Sequence, residues 1–213
     1  MKIEIRNASK VIQKAEVLKD INIHFEGGKI YGLRGKNGSG KTMLMRAISG
    51  LITLTTGEVV IDGRILGKDM SFPESIGILI ENPSFIDSYT GYQNLKALAD
   101  INHRIASQEI CEVLEQVGLN PADKKKYKKY SLGMKQRLGI AAAIMEKPQI
   151  ILLDEPINAL DESGVEQIRN ALLELKNDQR IIIVACHDRE ELDLLSDEII
   201  ELQDGAVVNK YYN

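Results

Sequence analysis

The sequence predicts an α/β protein in which a mostly parallel sheet core carries an antiparallel β part at the N-terminus and a helical insert. Three observations carry this expectation. Residues 3–5 and 17–25 alternate apolar with polar side chains, the period of half-buried strands. Between residues 90 and 143 the apolar period becomes helical. After that, short wholly apolar runs at 150–153, 181–185 and 199–202 alternate with helical stretches, the pattern of parallel strands covered on both faces. A chain of 213 residues that is 44% hydrophobic and 27% charged has the material for a substantial core and one or two domains.

The elements follow in order. Ile3 and Ile5 mark the first strand and residues 17–25 the second, after which Gly27 and Gly28 turn the chain into a strand over 29–34. A glycine-rich turn leads to a helix over 41–48; residues 58–61 form a strand, Asp62-Gly63 a hairpin turn, and 76–80 another strand. Within the insert, expected at about residues 84–145, Ile110, Val113, Leu114 and Val117 share one helix face, and Gly118 with Pro121 ends that helix. Val165, Ile168, Leu172 and Leu175 form a second helical stripe between the apolar runs.

Composition excludes several roles. A net charge of −4 and a pI near 5.5 give no overall basic surface for nucleic acid, so no nucleic-acid partner is expected. Cys111 and Cys186 are far apart and outside metal-ligand spacing, which predicts reduced thiols in a cytosolic protein. The longest apolar runs fall well short of the roughly 18–20 residues of a spanning helix, and the N-terminus lacks the pattern of a signal peptide. The chain by itself is therefore expected not to cross a bilayer.

Chemistry is concentrated where strands end. Gly35-Lys-Asn37-Gly38-Ser39-Gly40-Lys41-Thr42 fits the pattern G-x-x-x-x-G-K-[ST] of a phosphate-binding loop and lies between a strand and a helix, the context its mechanism needs. Its glycines let backbone N–H groups turn toward phosphate oxygens, Lys41 reaches the β- and γ-phosphates, and Thr42 offers a hydroxyl to Mg²⁺. The core is thus predicted to be that of a P-loop NTPase. Residues 150–153 lead into Asp154 and Glu155, at the strand end where open parallel sheets hold ligands. Asp154 can hold Mg²⁺ through water, and Glu155 can orient and deprotonate an attacking water. His187 follows the strand 181–185 and is placed to meet a γ-phosphate, whereas His24 and His103 lack such placement and read as structural or surface residues.

Five lysines crowd residues 124–129, just before Ser131, Gly133 and a helix of small residues. This lead-in suits an anion at the helix start, and nothing nearby in the sequence supplies one. The lysines themselves read as a solvated face of the insert. The phosphate-binding loop, the insert, Ser131-Leu-Gly133-Met-Lys-Gln136-Arg137, Leu153-Asp154-Glu155-Pro156, Asn158-Ala-Leu-Asp161 and His187, in this order, resemble the ATP-binding subunit of ABC transporters over nearly the whole chain, residues 1–213. The resemblance implies that two such subunits pair head to tail, so that Ser131 and Gly133 cap the γ-phosphate held by the partner's loop, with Asp161 contributing to the shared site. It further implies an ATPase on the cytoplasmic face of the membrane, driving a separately encoded permease.

The variant Ser-Leu-Gly-Met-Lys-Gln-Arg-Leu-Gly-Ile-Ala, with Ile78-Leu-Ile-Glu81-Asn-Pro83 and Tyr89-Thr-Gly-Tyr-Gln-Asn-Leu95, is similar to ATPases of bacitracin-type and lantibiotic-type exporters and immunity systems. Glu81 stands where most of the family has a glutamine, which makes it a candidate metal ligand between fuel and permease. Val11 or Ile12 occupies the place of the usual adenine-stacking aromatic, with Ile12 the candidate contact, and Met43 replaces a second hydroxyl residue. Both departures predict weak nucleotide binding by a lone subunit. Two alternatives remain. A soluble ABC-type ATPase acting on protein or nucleic-acid assemblies usually carries a coiled-coil insertion or two ATPase halves; a P-loop kinase gives no reason for Asp154, Glu155, Asp161 and His187 to occur in this order.

Overall fold

A computed structural model describes residues 1–212. Strand β1 (Lys2–Ile12) pairs with β2 (Ala15–Glu26) across a turn in which Gln13 and Lys14 take φ of 48° and 71°. On its other side β1 pairs with β4 (Thr56–Ile61), whose hairpin to β5 (Arg64–Ile65) turns through Asp62 and Gly63 as their sequence predicts. These strands make the antiparallel sheet, in the order β2-β1-β4-β5.

The second sheet has the order β10-β9-β3-β8-β7-β6. Its parallel members are β3 (Lys29–Arg34), β6 (Ile76–Leu79), β7 (Ile150–Asp154), β8 (Ile181–Ala185) and β9 (Glu198–Gln203). The edge strand β10 (Ala206–Tyr212) runs antiparallel to β9 and is not foreseen in the sequence, because Asn209 and Lys210 break its apolar pattern. Both sequence-predicted halves of the β architecture are therefore present.

Helix α1 (Lys41–Ile48) follows β3. Between β6 and β7 run α2 (Gly91–Asn102), α3 (Ser107–Gln116), a 3₁₀ turn at Tyr127–Lys129 and α4 (Leu132–Ile144). Thr90 caps α2 reciprocally with Gln93, and α3 stops where Gly118 takes φ 78° and Leu119 N–H returns to the Leu114 carbonyl. Helices α5 (Glu162–Leu175) and α6 (Arg189–Leu195) flank β8.

The core divides across the parallel sheet. Ile182 and Val184 of β8 face a cluster containing Leu95, Ile110, Leu138, Ile168 and Leu192, while Ile181, Ile183 and Ala185 face one shared with α1 and the antiparallel sheet. Helix α4 lies directly on β6: a Cβ at Gly77 would stand 1.7 Å from the Ala143 carbonyl oxygen. Register then sets the site. Leu33 of β3 and Asp154 of β7 both pair with Ala185 of β8, and Leu79 of β6 pairs with Leu153, so the residues leaving four parallel strands emerge in a row.

Candidate functional site

The residues leaving β3 form the glycine loop. Gly38 and Gly40 have φ of 81° and 108°, left-handed values that side chains resist. Nothing lies within 4 Å of a Cβ built on Gly38, so conformation alone requires glycine there. Gly40 caps α1 with no side-chain hydrogen bond, leaving the helix N–H groups open to a ligand. Lys41 is buried, and its Nζ donates to the Gly35 carbonyl at 2.6 Å and to the Lys36 carbonyl at 3.4 Å. Ser39 Oγ is buried with no hydrogen-bond partner, and Asn37 is exposed at the loop tip. A cation held only by carbonyls, an orphaned hydroxyl and an uncapped helix start fit a phosphate chain.

From β7, Asp154 accepts a hydrogen bond from Thr42 Oγ1 at 2.6 Å on its Oδ2. Burial pushes the Asp154 carboxyl above the ordinary aspartate range; the Thr42 hydrogen bond opposes this, while the charges of Glu155 and Glu81 add to it. Such a partly buried, hydroxyl-paired carboxylate has the hard oxygen donors that Mg²⁺ takes. Thr42 and Asp154 are the residues that would hold the ion.

Glu155 has φ 50°, uncommon for a residue with a side chain, and its N–H donates to the Ala185 carbonyl at 2.8 Å. This conformation is fixed on a second side by Gln136 of α4, whose Nε2 donates to the Glu155 carbonyl at 3.0 Å. The Glu155 carboxylate meets His187 Nδ1 at 2.8 Å. The histidine orients the acid, and the ring's other nitrogen is left for a ligand. Cys186, between β8 and His187, has its thiol pushed up to about 11 by burial above all, so at neutral pH it is no free nucleophile.

Glu81, just beyond β6, is paired with the Arg46 guanidinium of α1 and is two-thirds exposed. Ile12 ends β1 beside Val11, and both side chains are exposed, at 37% and 41%. His24 pairs with Glu26 at 3.0 Å, and His103 ends α2 in a left-handed conformation. Neither is part of the row.

Ser131 and Gly133 sit at the start of α4. Ser131 Oγ caps the helix by accepting the Met134 N–H at 3.2 Å. A Cβ on Gly133 would stand 2.8 Å from the Ala159 carbonyl, which abuts it from the turn before α5. Asp161 caps α5 by accepting the Gly164 N–H at 3.2 Å and lies 3.6 Å from the Arg137 guanidinium. A cleft lined by Gly35, Asn37, Gly38, Ser39, His187 and Arg189 runs along the loop. The chain thus brings the loop, the two acids and His187 together, while Ser131 and Gly133 lie at the start of α4 beside the turn before α5. Two contributors escape sequence reasoning: Arg46, which looks like one more polar residue on α1, and Gln136. Gln136 stands in the sequence motif between Lys135 and Arg137, and its burial is the signal that sets it apart from them.

Residues 18–158 match the ABC transporter family, and the chain belongs to it. Within that family it is an ATP-binding, ATP-hydrolysing motor subunit. It is 47% identical over 205 residues to YybJ of Bacillus subtilis (strain 168), described as an uncharacterized ABC transporter ATP-binding protein, covering 96% of this chain and 94% of that one. It is 39% identical to the bacitracin transport ATP-binding protein BcrA of Enterococcus faecalis, over 98% of this chain and 68% of BcrA. With the lantibiotic transport ATP-binding protein SrtF of Streptococcus pyogenes the identity is 33%, over 97% and 89% of the two chains. Among solved structures it superposes on the dimeric bacterial ABC transporter cassette MJ0796 with a TM-score of 0.89 at 27% identity, covering 99% of this chain and 98% of that one. The same cassette bound to ADP and Pi gives 0.88 at 26% identity, with the same coverage. No helix among the described residues is long and apolar enough to cross a membrane.

Proposed function

We infer that this subunit hydrolyses Mg·ATP in a head-to-tail pair of ATPase subunits seated on the cytoplasmic face of a membrane permease. The observation that carries the reading is the row at the sheet edge: Lys41, the Thr42–Asp154 pair and the Glu155–His187 pair leave adjacent parallel strands or the helix joined to them. Phosphates entering the loop draw Lys41 from its carbonyl partners and give Ser39 Oγ an acceptor. Thr42 and Asp154 would hold Mg²⁺, which would supply charge neutralisation at the phosphates. Glu155 accepts the proton of the attacking water, and His187 Nδ1 keeps the carboxylate aimed while its other nitrogen meets the γ-phosphate. Asn37, Gly38 and Gly40 complete the loop, Ile12 gives the adenine an aliphatic contact, and Ser131, Gly133 and Asp161 serve the partner's nucleotide.

The cargo is proposed to be a peptide antibiotic, exported or rejected as an immunity function. The named transport roles of BcrA and SrtF support it, as does the resemblance of the Ser131-Leu-Gly-Met variant to that of such exporters. Glu155→Gln tests the mechanism. It keeps the hydrogen bond to His187 and removes the base, so ATP binding persists while turnover falls by about 10²–10⁴-fold. Turnover at the wild-type rate would remove Glu155 from the role of base.

A further inference from the structure

Cys186 is the one side chain at the Glu155–His187 junction that hydrolysis does not use. It is 1% exposed, and its sulfur accepts the Asp188 N–H at 3.3 Å. A Glu155 carboxylate oxygen, Cys186 Sγ and a His187 ring nitrogen all lie within 4.8 Å of one another, and this is the one such group of three among the described residues. Cys111, on α3, has no comparable company.

We propose that Glu155, Cys186 and His187 form an inhibitory site for a thiophilic divalent cation, with Zn²⁺ as the type case, distinct from the Mg²⁺ position at Thr42 and Asp154. One sulfur, one imidazole nitrogen and one carboxylate oxygen match the three-ligand set of a tetrahedral zinc site with its fourth position open to water. The sulfur selects against Mg²⁺, which takes oxygen donors. With bonds of about 2.0–2.3 Å, donors around such an ion stand roughly 3.3–3.7 Å apart, so the widest pair needs to close by about 1 Å while the Glu155–His187 pair, at 2.8 Å, opens by about 0.6 Å. The His187 side chain is 63% exposed and that of Glu155 22%, so the ring has room to turn, while β8 and the Asp188 N–H hold the sulfur. Binding replaces the thiol proton with a metal–sulfur bond and releases that proton to solvent; no electron is transferred. Once Glu155 oxygen and His187 nitrogen are engaged, the carboxylate no longer takes a proton from water, and ATP stays bound without turning over. This inhibitory consequence rests on the reading of Glu155 as the base, whereas the metal site does not.

The two are separated by measuring binding and turnover independently. Co²⁺ titrated into the nucleotide-free full chain should give a 1:1 complex with tetrahedral d–d bands and a near-ultraviolet thiolate-to-cobalt charge-transfer band, both displaced by Zn²⁺. Cys186→Ala should abolish the charge-transfer band and Cys111→Ala should keep it. With Mg·ATP in excess, Zn²⁺ should inhibit turnover, and Cys186→Ala should raise the half-inhibiting concentration by about 10-fold or more. Should the alanine variant fold poorly, Cys186→Ser keeps the shape and must show the same loss of cobalt and zinc affinity, and Glu155→Gln must weaken cobalt binding. Absence of a thiolate band in the wild-type chain, its persistence without Cys186, or equal zinc sensitivity of the variants overturns the site. A Cys186-dependent band with turnover indifferent to Zn²⁺ overturns the inhibitory role, while the assignment of Glu155 as base stands or falls separately on the turnover of Glu155→Gln.

Discussion

Replacing Thr42 by valine removes one hydroxyl from a helix while keeping its shape, and the structure sets the cost. The hydroxyl lies 2.6 Å from Asp154 Oδ2, the short separation of a charge-assisted bond, and Asp154 is only 9% exposed. A hydrogen bond to a charged group contributes about 1.5–3 kcal/mol, and here its loss also leaves a carboxylate that burial already disfavours. For a chain of this size about 1 kcal/mol moves Tm by roughly 2–4 °C, so the nucleotide-free variant should melt about 3–12 °C lower. Thr42→Ser should recover most of the loss. In the Asp154→Asn background the buried charge is gone, so Thr42→Val should there cost about 1 kcal/mol less than it does in the wild-type chain. Thermal unfolding with and without Mg·ATP measures both effects, and Thr42→Val should also lose most of the stabilisation that Mg²⁺ adds to ATP. An unchanged nucleotide-free Tm, with additive variants, would refute the role given to this hydrogen bond.

The shared site predicts complementation: inactive Lys41→Ala and Ser131→Arg chains, mixed equally, should recover turnover that neither parent has, up to about a quarter of wild type, since half the dimers are mixed and each has one intact site. No gain, with mixed dimers demonstrated by crosslinking, would count against pairing across the interface. Glu81→Gln should retain hydrolysis but need more Mg²⁺, and Glu81→Ala should lose permease stimulation more than basal turnover; identical titrations and rates would leave Glu81 without a part in the site. Asp154 binds its proton more tightly folded than unfolded, so its charged form destabilises the nucleotide-free protein above its raised pKa. Asp154→Asn should therefore raise the nucleotide-free Tm most at neutral pH. That advantage should shrink as pH falls through the raised value toward the ordinary 3.8, which melting curves across this range would show. The same variant should gain nothing from Mg²⁺.

Period and punctuation made most of the fold legible. The apolar runs 150–153 and 181–185 could be placed because each strand is buried on both faces, and the loop from Gly35 to Thr42 could be placed because its glycines answer to backbone geometry. Strand β10 was not legible, since an edge strand that is mostly exposed has no apolar pattern to keep. Within the site, residues that leave strands declared themselves, while those acting through a neighbour did not. The partner of Glu81 is Arg46, 35 residues earlier, and only the fold joins them. The strained backbone of Glu155 likewise depends on contacts from β8 and α4 that no local pattern encodes.

The contact from Gln136 to the Glu155 carbonyl gives α4 two loyalties. Ser131 at its cap is proposed to touch the nucleotide of the opposite subunit; five residues on, roughly 7 Å along the axis, Gln136 grips the acid that would hydrolyse the nucleotide of its own. Any shift of the helix that follows capture of the opposite γ-phosphate is delivered, within the same rigid element, to the backbone of Glu155. Linkage makes the message run both ways: whatever orientation of Glu155 the captured phosphate favours must in turn strengthen the capture, by the same free energy. Two ATP sites joined through two such helices form a closed circuit. Under the proposed pairing, each chamber would be armed by the loading of the other.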